Sequence, residues 1–256
     1  MKILFFGDIT GRIGREAVAE FIADKRDLIK PDFIIANAEN ASSGRGPTEN
    51  AVEELLGCGI DLITLGDHCW DQKSLVEYLS RNSAKAIRPL NFPEPNIGKG
   101  WTKIKKGNLE LTVISAIGRV FTTEGLDSPF VRVNDLIEGE CLKQPILIDF
   151  HAEATSEKEA FGHYFAGRVS AILGTHTHVQ TADEQVLEGG TAYIGDVGMC
   201  GPQDSVIGVK KELSIERFLT ARPLKFEIAE GPKMINAVVV DLDLKGKAQK
   251  IERIFE

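Results

Sequence analysis

Apolar residues recur along this chain in two rhythms. Short, mainly apolar runs at Ile3 to Phe6, Phe33 to Ala36, Asp61 to Leu65, Pro145 to Asp149 and Val169 to Leu173 have the length of strands covered on both faces. Between the early runs the spacing changes to three and four. Arg15 to Ile29 predicts a helix with Val18, Phe21, Ile22, Leu28 and Ile29 on one face, closed by Pro31. Thr48 can cap a helix carrying Val52, Leu55 and Leu56, and Asp71 one carrying Leu75, Val76, Tyr78 and Leu79. Alternating strands and helices predict right-handed crossovers and a parallel sheet. Ligands of such sheets bind beyond the carboxyl ends of the strands.

After Pro89 the pattern loosens. Pro89 to Gly100 contains three prolines and reads as a surface loop. Three hairpins are predicted: Trp101–Lys105 with Leu109–Ile117, Gln185–Leu187 with Thr191–Ile194, and Ile235–Leu242 with Gln249–Phe255. Ser156 is placed to cap a helix running to about Ala166, with Glu159 at the capping-box position. Ser128 to Ile137 leaves its element type open, a helix is expected near Glu212 to Thr220, and Asp196 to Gln203 reads as loop. The expectation is one α/β domain over residues 1–256, parallel early and built of antiparallel hairpins later.

Composition narrows the function. A net charge of −8 argues against a broad nucleic-acid surface, which needs basic residues to displace counterions. It does not exclude a nucleotide-sized substrate, because bound metal supplies local positive charge. Cys58, Cys69, Cys141 and Cys200 contain no Cys-x-x-Cys pair and read as reduced thiols. No apolar run reaches the roughly 18 residues of a membrane span. A cytoplasmic protein with no membrane partner is expected.

The chemistry gathers at the predicted strand ends: Asp8, Glu39 with Asn40, Asp67 with His68, His151, and His176 with His178. Alone, each has a bland reading. Asp8 suits a turn, Glu39-Asn40 a helix cap, and His-x-His a hydrogen-bonded loop. Together, carboxylate, amide oxygen and imidazole suit iron, manganese or zinc. Leaving His68 aside, seven candidates exceed the needs of one tetrahedral ion and fit two ions sharing a carboxylate. His163, between Phe161 and Phe165, reads as structural or exposed, and Cys69 as a packed residue. Arg45 reads as a solvated loop residue, with a phosphate contact as the alternative. Met199 and Cys200 are expected to pack near the site.

Gly7-Asp8-Ile9-Thr10, Glu39-Asn40, Gly66-Asp67-His68, His151 and Gly174-Thr175-His176-Thr177-His178 resemble, in order, the motifs of the calcineurin-like metallophosphoesterases. Glu39-Asn40, Asp149 to Thr155 and Asp196 to Met199 resemble the YmdB-like phosphodiesterase subgroup. The resemblance implies a four-layer αββα sandwich with mixed sheets. It implies one ion on Asp8, Glu39 and His178, and a second on Glu39, Asn40, Asp67, His151 and His176. Two divalent or trivalent ions follow, iron first, with manganese or zinc as alternatives. The implied reaction is hydrolysis of small phosphodiesters, 2′,3′-cyclic nucleotides among them, by a metal-bridging hydroxide with His68 as general acid. The implied partner is a small phosphodiester or nucleotide, and a homo-oligomer is compatible with it. Competing readings are a phosphomonoesterase and a metal-binding regulatory or scaffold protein.

Three positions depart from the superfamily pattern. Thr175 falls where the superfamily has no ligand. Thr10 replaces a histidine, as it does in the subgroup. Asp67 stands where the pattern has asparagine. Asp8, Glu39 and Asp67 with one hydroxide would neutralise two divalent ions, whereas asparagine would leave one positive charge. The expectation is a site that binds metal well and turns over slowly.

Overall fold

Two six-stranded mixed sheets face one another in the computed structural model, which describes residues 1–81, 85–122 and 125–256. The first orders its strands Ala248–Phe255, Asn236–Leu242, Lys2–Phe6, Phe33–Asn37, Leu62–Thr64 and Ala86–Ile87. The second runs Gln185–Leu187, Thr191–Ile194, Ala171–Thr175, Ile146–His151, Leu109–Ile117 and Trp101–Lys106.

The core explains why the strands read as mainly apolar runs. Leu4, Phe6, Ile34, Ala36 and Ile63 turn outward and pack with Val18, Phe21, Val52, Leu55 and Leu75 of helices Gly11–Ile29, Glu49–Gly57 and Lys73–Arg81. Their neighbours Ile3, Phe5, Phe33, Ile35 and Leu62 turn inward against Leu111, Val113, Leu147, Leu173 and Ile194 of the other sheet. That sheet's outer residues Ile114, Ile148, Phe150 and Ile172 pack with Val133, Phe161 and Phe165 of helices Pro129–Gly139 and Thr155–Phe165. The layers are therefore αββα, and each central strand has no polar face because neither face meets water.

All three predicted hairpins form. The later half is nevertheless not a set of antiparallel hairpins. Leu109–Ile117, Ile146–His151, Ala171–Thr175 and Thr191–Ile194 run parallel side by side. Two of the hairpins each give that core one strand and leave the other at its edge. A turn signal fixes only the local partner of a strand, and the second partner is set by the crossover helices that cover the sheet.

Local signals were uneven guides. Thr48 caps its helix, its hydroxyl accepting from the Ala51 amide at 3.3 Å. The first helix begins at Gly11, four residues ahead of the expected Arg15, and Leu28 is 79% exposed and not on its buried face. Asp71 does not cap the third helix, which begins two residues later at Lys73. Ser156 does not cap: the helix starts at Thr155 behind Ala154, with no side-chain cap. Ser128 to Ile137 resolves to the helix Pro129–Gly139. Within the expected loop Asp196 to Gln203, Met199–Pro202 forms a strand that pairs with Asp8–Ile9 at the edge of the site. Among the described residues no helix is long and apolar enough to cross a membrane.

Candidate metal centre

The carboxyl ends of both parallel cores open onto one edge, and the chemistry named above collects there. Glu39, Asp67, His151 and His176 each offer a ligating atom, and these atoms lie within 4.8 Å of one another. The contacts are close: His151 Nε2 stands 3.1 Å from Glu39 Oε1 and 3.2 Å from Asp67 Oδ1, and His176 Nδ1 stands 2.9 Å from His151 Nε2. Asn40 and His178 flank this group. The Asn40 amide nitrogen lies 2.9 Å from Glu39 Oε1 and 3.0 Å from His178 Nε2. Asp8 is wholly buried beside them, its Oδ2 accepting from the His176 amide at 3.1 Å. Its Oδ1 is buried with no hydrogen-bond partner among the described residues. Gly66 is required here, because a Cβ on it would stand 2.1 Å from Glu39 Oε2 and 2.5 Å from His151 Nε2.

Each histidine has its outer ring nitrogen engaged. His151 Nδ1 meets the Thr175 hydroxyl at 2.9 Å, and that hydroxyl donates to Asp149 Oδ1 at 2.8 Å. Thr175 must then accept from His151 Nδ1–H, which turns Nε2 toward the carboxylates. His176 Nε2 lies 3.1 Å from Glu153 Oε2, and His178 Nδ1 donates to the Ile207 carbonyl at 2.9 Å. Partners of this kind fix tautomer and ring orientation in metal-binding histidines.

The loop carrying two of the rings is strained. His176 has φ 105° and His178 φ 66°, conformations that cost non-glycine residues of the order of 1–3 kcal/mol each. Between them Thr177 is pinned, its amide and hydroxyl donating to Asp196 Oδ2 at 2.9 and 2.8 Å. Lys158 Nζ, itself buried, donates to the same oxygen at 2.7 Å.

The electrostatics ask for positive charge. Burial pushes the Asp8 carboxyl up to about 7, against the lowering influence of His178 and His151. Burial also works against the ionised form of Asp67, but the hydrogen bond and charge of His151, with His68 and His176, hold it below the usual carboxylate range. Burial works against protonated His151, yet Glu39, Asp67 and Asp8 outweigh it and raise its pKa well above the ordinary value. His176 is lowered, first by burial and then by His151. Carboxylates crowded around the His151 ring, beside an orphaned carboxylate oxygen on Asp8, make the donor set of a divalent-cation site.

A cavity of about 400 Å³ opens over the group. His68 lines it, with Nδ1 3.1 Å from Asp71 Oδ2. Asp71 thus orients His68 instead of serving as the expected helix cap. Arg45 is exposed and also lines the cavity, so its loop is part of the site wall. Glu153, Ile207, Val209, Phe226 and Ile228 complete walls that the motifs did not reveal. Cys69 is buried, and that burial pushes its thiol well up. His163 is exposed on its helix.

Comparison with known proteins agrees with this geometry. A family model described as YmdB-like protein matches residues 4–254. The chain belongs to the YmdB-like family. It is 48% identical over 257 residues to the 2′,3′-cyclic-nucleotide 2′-phosphodiesterase of Bacillus subtilis (strain 168), covering 100% of this chain and 97% of the relative. A crystal structure of a hypothetical protein from Thermus thermophilus superposes with a TM-score of 0.94 at 39% identity, covering 100% of this chain and 99% of the other. A crystal structure described as a novel phosphatase, from Mycoplasma pneumoniae, superposes with a TM-score of 0.93 at 35% identity, covering 100% and 93%. The fold is that of the metallophosphoesterases, and the chain is an enzyme of the phosphoester-hydrolase class.

Proposed function

We propose that this protein hydrolyses small phosphodiesters, 2′,3′-cyclic nucleotides first among them, at a two-metal centre. The observation that carries the reading is the convergence of Glu39, Asp67, His151 and His176 within 4.8 Å. The activity named for the Bacillus subtilis relative supplies the substrate class. Asp8, Glu39 and His178 hold one ion, and Glu39, Asn40, Asp67, His151 and His176 the other. Iron suits this mixture of oxygen and imidazole donors, as do manganese and zinc. When bound, such ions polarise phosphoryl oxygens and lower the pKa of water.

The chain's own residues do the rest. His68, its Nδ1 held by Asp71, keeps Nε2 available to deliver a proton to the leaving oxygen. Arg45 is the one permanently cationic side chain among the cavity's lining residues, where Glu39 and Glu153 are anionic. With Asp8, Glu39, Asp67 and one hydroxide offsetting two divalent ions, and Glu153 offsetting Arg45, the site would carry no excess positive charge to reward a dianionic monoester over a monoanionic diester. All four cysteines are free thiols, in keeping with a reducing cytoplasm.

The test is hydrolysis of adenosine 2′,3′-cyclic phosphate by metal-loaded protein, with adenosine monophosphates as comparison. His68→Ala is expected to lower kcat about 10²–10⁴-fold, the usual scale of general-acid catalysis, with metal content unchanged. Failure of the loaded protein to cleave any diester would falsify the reading.

A further inference from the structure

The cavity over the metal centre has one wall of a different character. Ile207, Val209, Phe226 and Ile228 line it. All four are apolar, and Ile207 and Phe226 stay 54% and 43% exposed. Exposed aliphatic and aromatic side chains gathered at the mouth of a polar site mark a binding surface more often than chance.

The wall is built, not draped. Val206 and Val209 exchange backbone hydrogen bonds at 2.9 and 3.0 Å around Ile207 and Gly208, whose φ values are 48° and 96°. Val209 bridges to Ile228, and the Ala229 amide donates to the Gly208 carbonyl at 2.9 Å. Ile228 packs over Gly44 and Gly11, where a Cβ would approach it to 3.0 and 3.1 Å. The Ile207 carbonyl is the acceptor that orients His178. The wall and the metal centre therefore share a rigid frame. Arg217 stands over the Phe226 ring, 4.9 Å from its centroid, and does not line the cavity.

Resting on the phosphodiesterase reading above, we propose that this apolar shelf is the base subsite for a nucleoside 2′,3′-cyclic phosphate, and that it takes purines without separating adenine from guanine. Phe226 offers a π-face, and base–aromatic stacking tolerates any base. The four shelf side chains carry no donor or acceptor, so nothing on them reads the edge of a base. An apolar pocket discriminates weakly between ligands that differ only in polar substituents, whereas a hydrogen-bonding site discriminates strongly. Purines gain over pyrimidines because they cover more of the shelf.

The experiment compares metal-loaded protein on the 2′,3′-cyclic phosphates of adenosine, guanosine and cytidine with 1-O-methylribose 2′,3′-cyclic phosphate, which lacks a base. Adenosine and guanosine are expected to agree within about threefold in kcat/KM, and both to exceed the abasic diester by about tenfold or more, the scale of one stacked base. Phe226→Ala is expected to remove that advantage through KM, and Phe226→Tyr to keep it. Thermal melting of both variants checks that the fold is intact. The shelf assignment is overturned if the abasic diester is cleaved as efficiently as adenosine, if Phe226→Ala raises KM equally on both, or if adenine and guanine differ more than about tenfold. If the loaded protein cleaves neither diester, it is the phosphodiesterase reading that fails, and the shelf assignment falls with it.

Discussion

Asp8 and Asp149 are both wholly buried near the carboxyl ends of parallel strands, one in each sheet, yet their surroundings are opposite. Asp149 has both oxygens served by neutral donors: the Thr175 hydroxyl at 2.8 Å, the Asn37 amide at 2.9 Å and the Thr64 hydroxyl. Asp8 accepts one backbone amide on Oδ2 and nothing on Oδ1 among the described residues. Burial raises the pKa of both. The difference separates a structural peg from a proposed ligand. A buried carboxylate with both oxygens served by neutral donors stabilises what surrounds it, while one with an oxygen left bare waits for a cation. Asp149 acts on the site through Thr175, which sets the tautomer of His151, and through Asn37, whose Oδ1 accepts from the Glu39 amide at 3.1 Å.

Replacing each by alanine would break or sharpen this contrast. Asp8→Ala is expected to lose one ion by elemental analysis. Metal contributes several kcal/mol to such reactions, so its diesterase activity should fall by about 10³ or more. Its metal-free melting temperature should hold or rise. Asp149→Ala should do the reverse, losing stability by roughly 1–3 kcal/mol for each donor left unserved. Unchanged metal content in the first variant, or unchanged stability in the second, would erase the distinction.

A third buried carboxylate, Asp196, follows another logic, since it is paired with a cation of the chain itself. Lys158→Ala leaves Asp196 charged, buried and without its ammonium partner, which typically costs about 3–5 kcal/mol. The Thr177 tie that holds His176 and His178 in their strained conformations would loosen with it. Denaturant unfolding should show the loss. The double variant Lys158→Met/Asp196→Asn should recover part of it, because no lone charge remains. A single variant as stable as the parent would show that the pair does not anchor the loop.

The ligands and their pegs were not equally legible in the sequence. Asp8, Glu39, Asp67, His151, His176 and His178 stand at the ends of mainly apolar runs, and chain direction in a parallel sheet carries such ends to one edge. Asp149 closes the run Pro145 to Asp149, two residues before His151, and nothing local separates it from a polar interruption of the strand Ile146–His151. Its partners Asn37, Thr64 and Thr175 come from three other strands, so only the sheet pairing reveals them. Phe226 and Ile228 sit outside the regular elements, and they enter the site wall through the backbone ties to Val206–Val209. The parallel core of the second sheet was hidden for a related reason. The strongest signals there were hairpin turns, which speak only for nearest neighbours.

Asp67 gives the smallest expected effect and the most direct test of charge at the centre. Its Oδ1 lies 3.2 Å from His151 Nε2 and 3.8 Å from His176 Nδ1, and its side chain keeps 24% of its surface exposed. The carboxylate therefore adds negative charge at a place that is not fully sealed from solvent. Asparagine keeps an oxygen for the metal and removes one charge from the sum of Asp8, Glu39 and Asp67. At an effective dielectric of about 20, one charge some 5 Å from a bound phosphate is worth roughly 3 kcal/mol. Exposure and the weaker amide ligand both reduce that figure. A several-fold gain in kcat/KM on a cyclic diester is expected of Asp67→Asn, larger at low ionic strength than at high, because exposed charge is screened by salt. Metal stoichiometry measured beside the kinetics separates altered charge from a lost ion. A fully loaded variant no faster than the parent on any diester would show that the extra carboxylate does not restrain turnover.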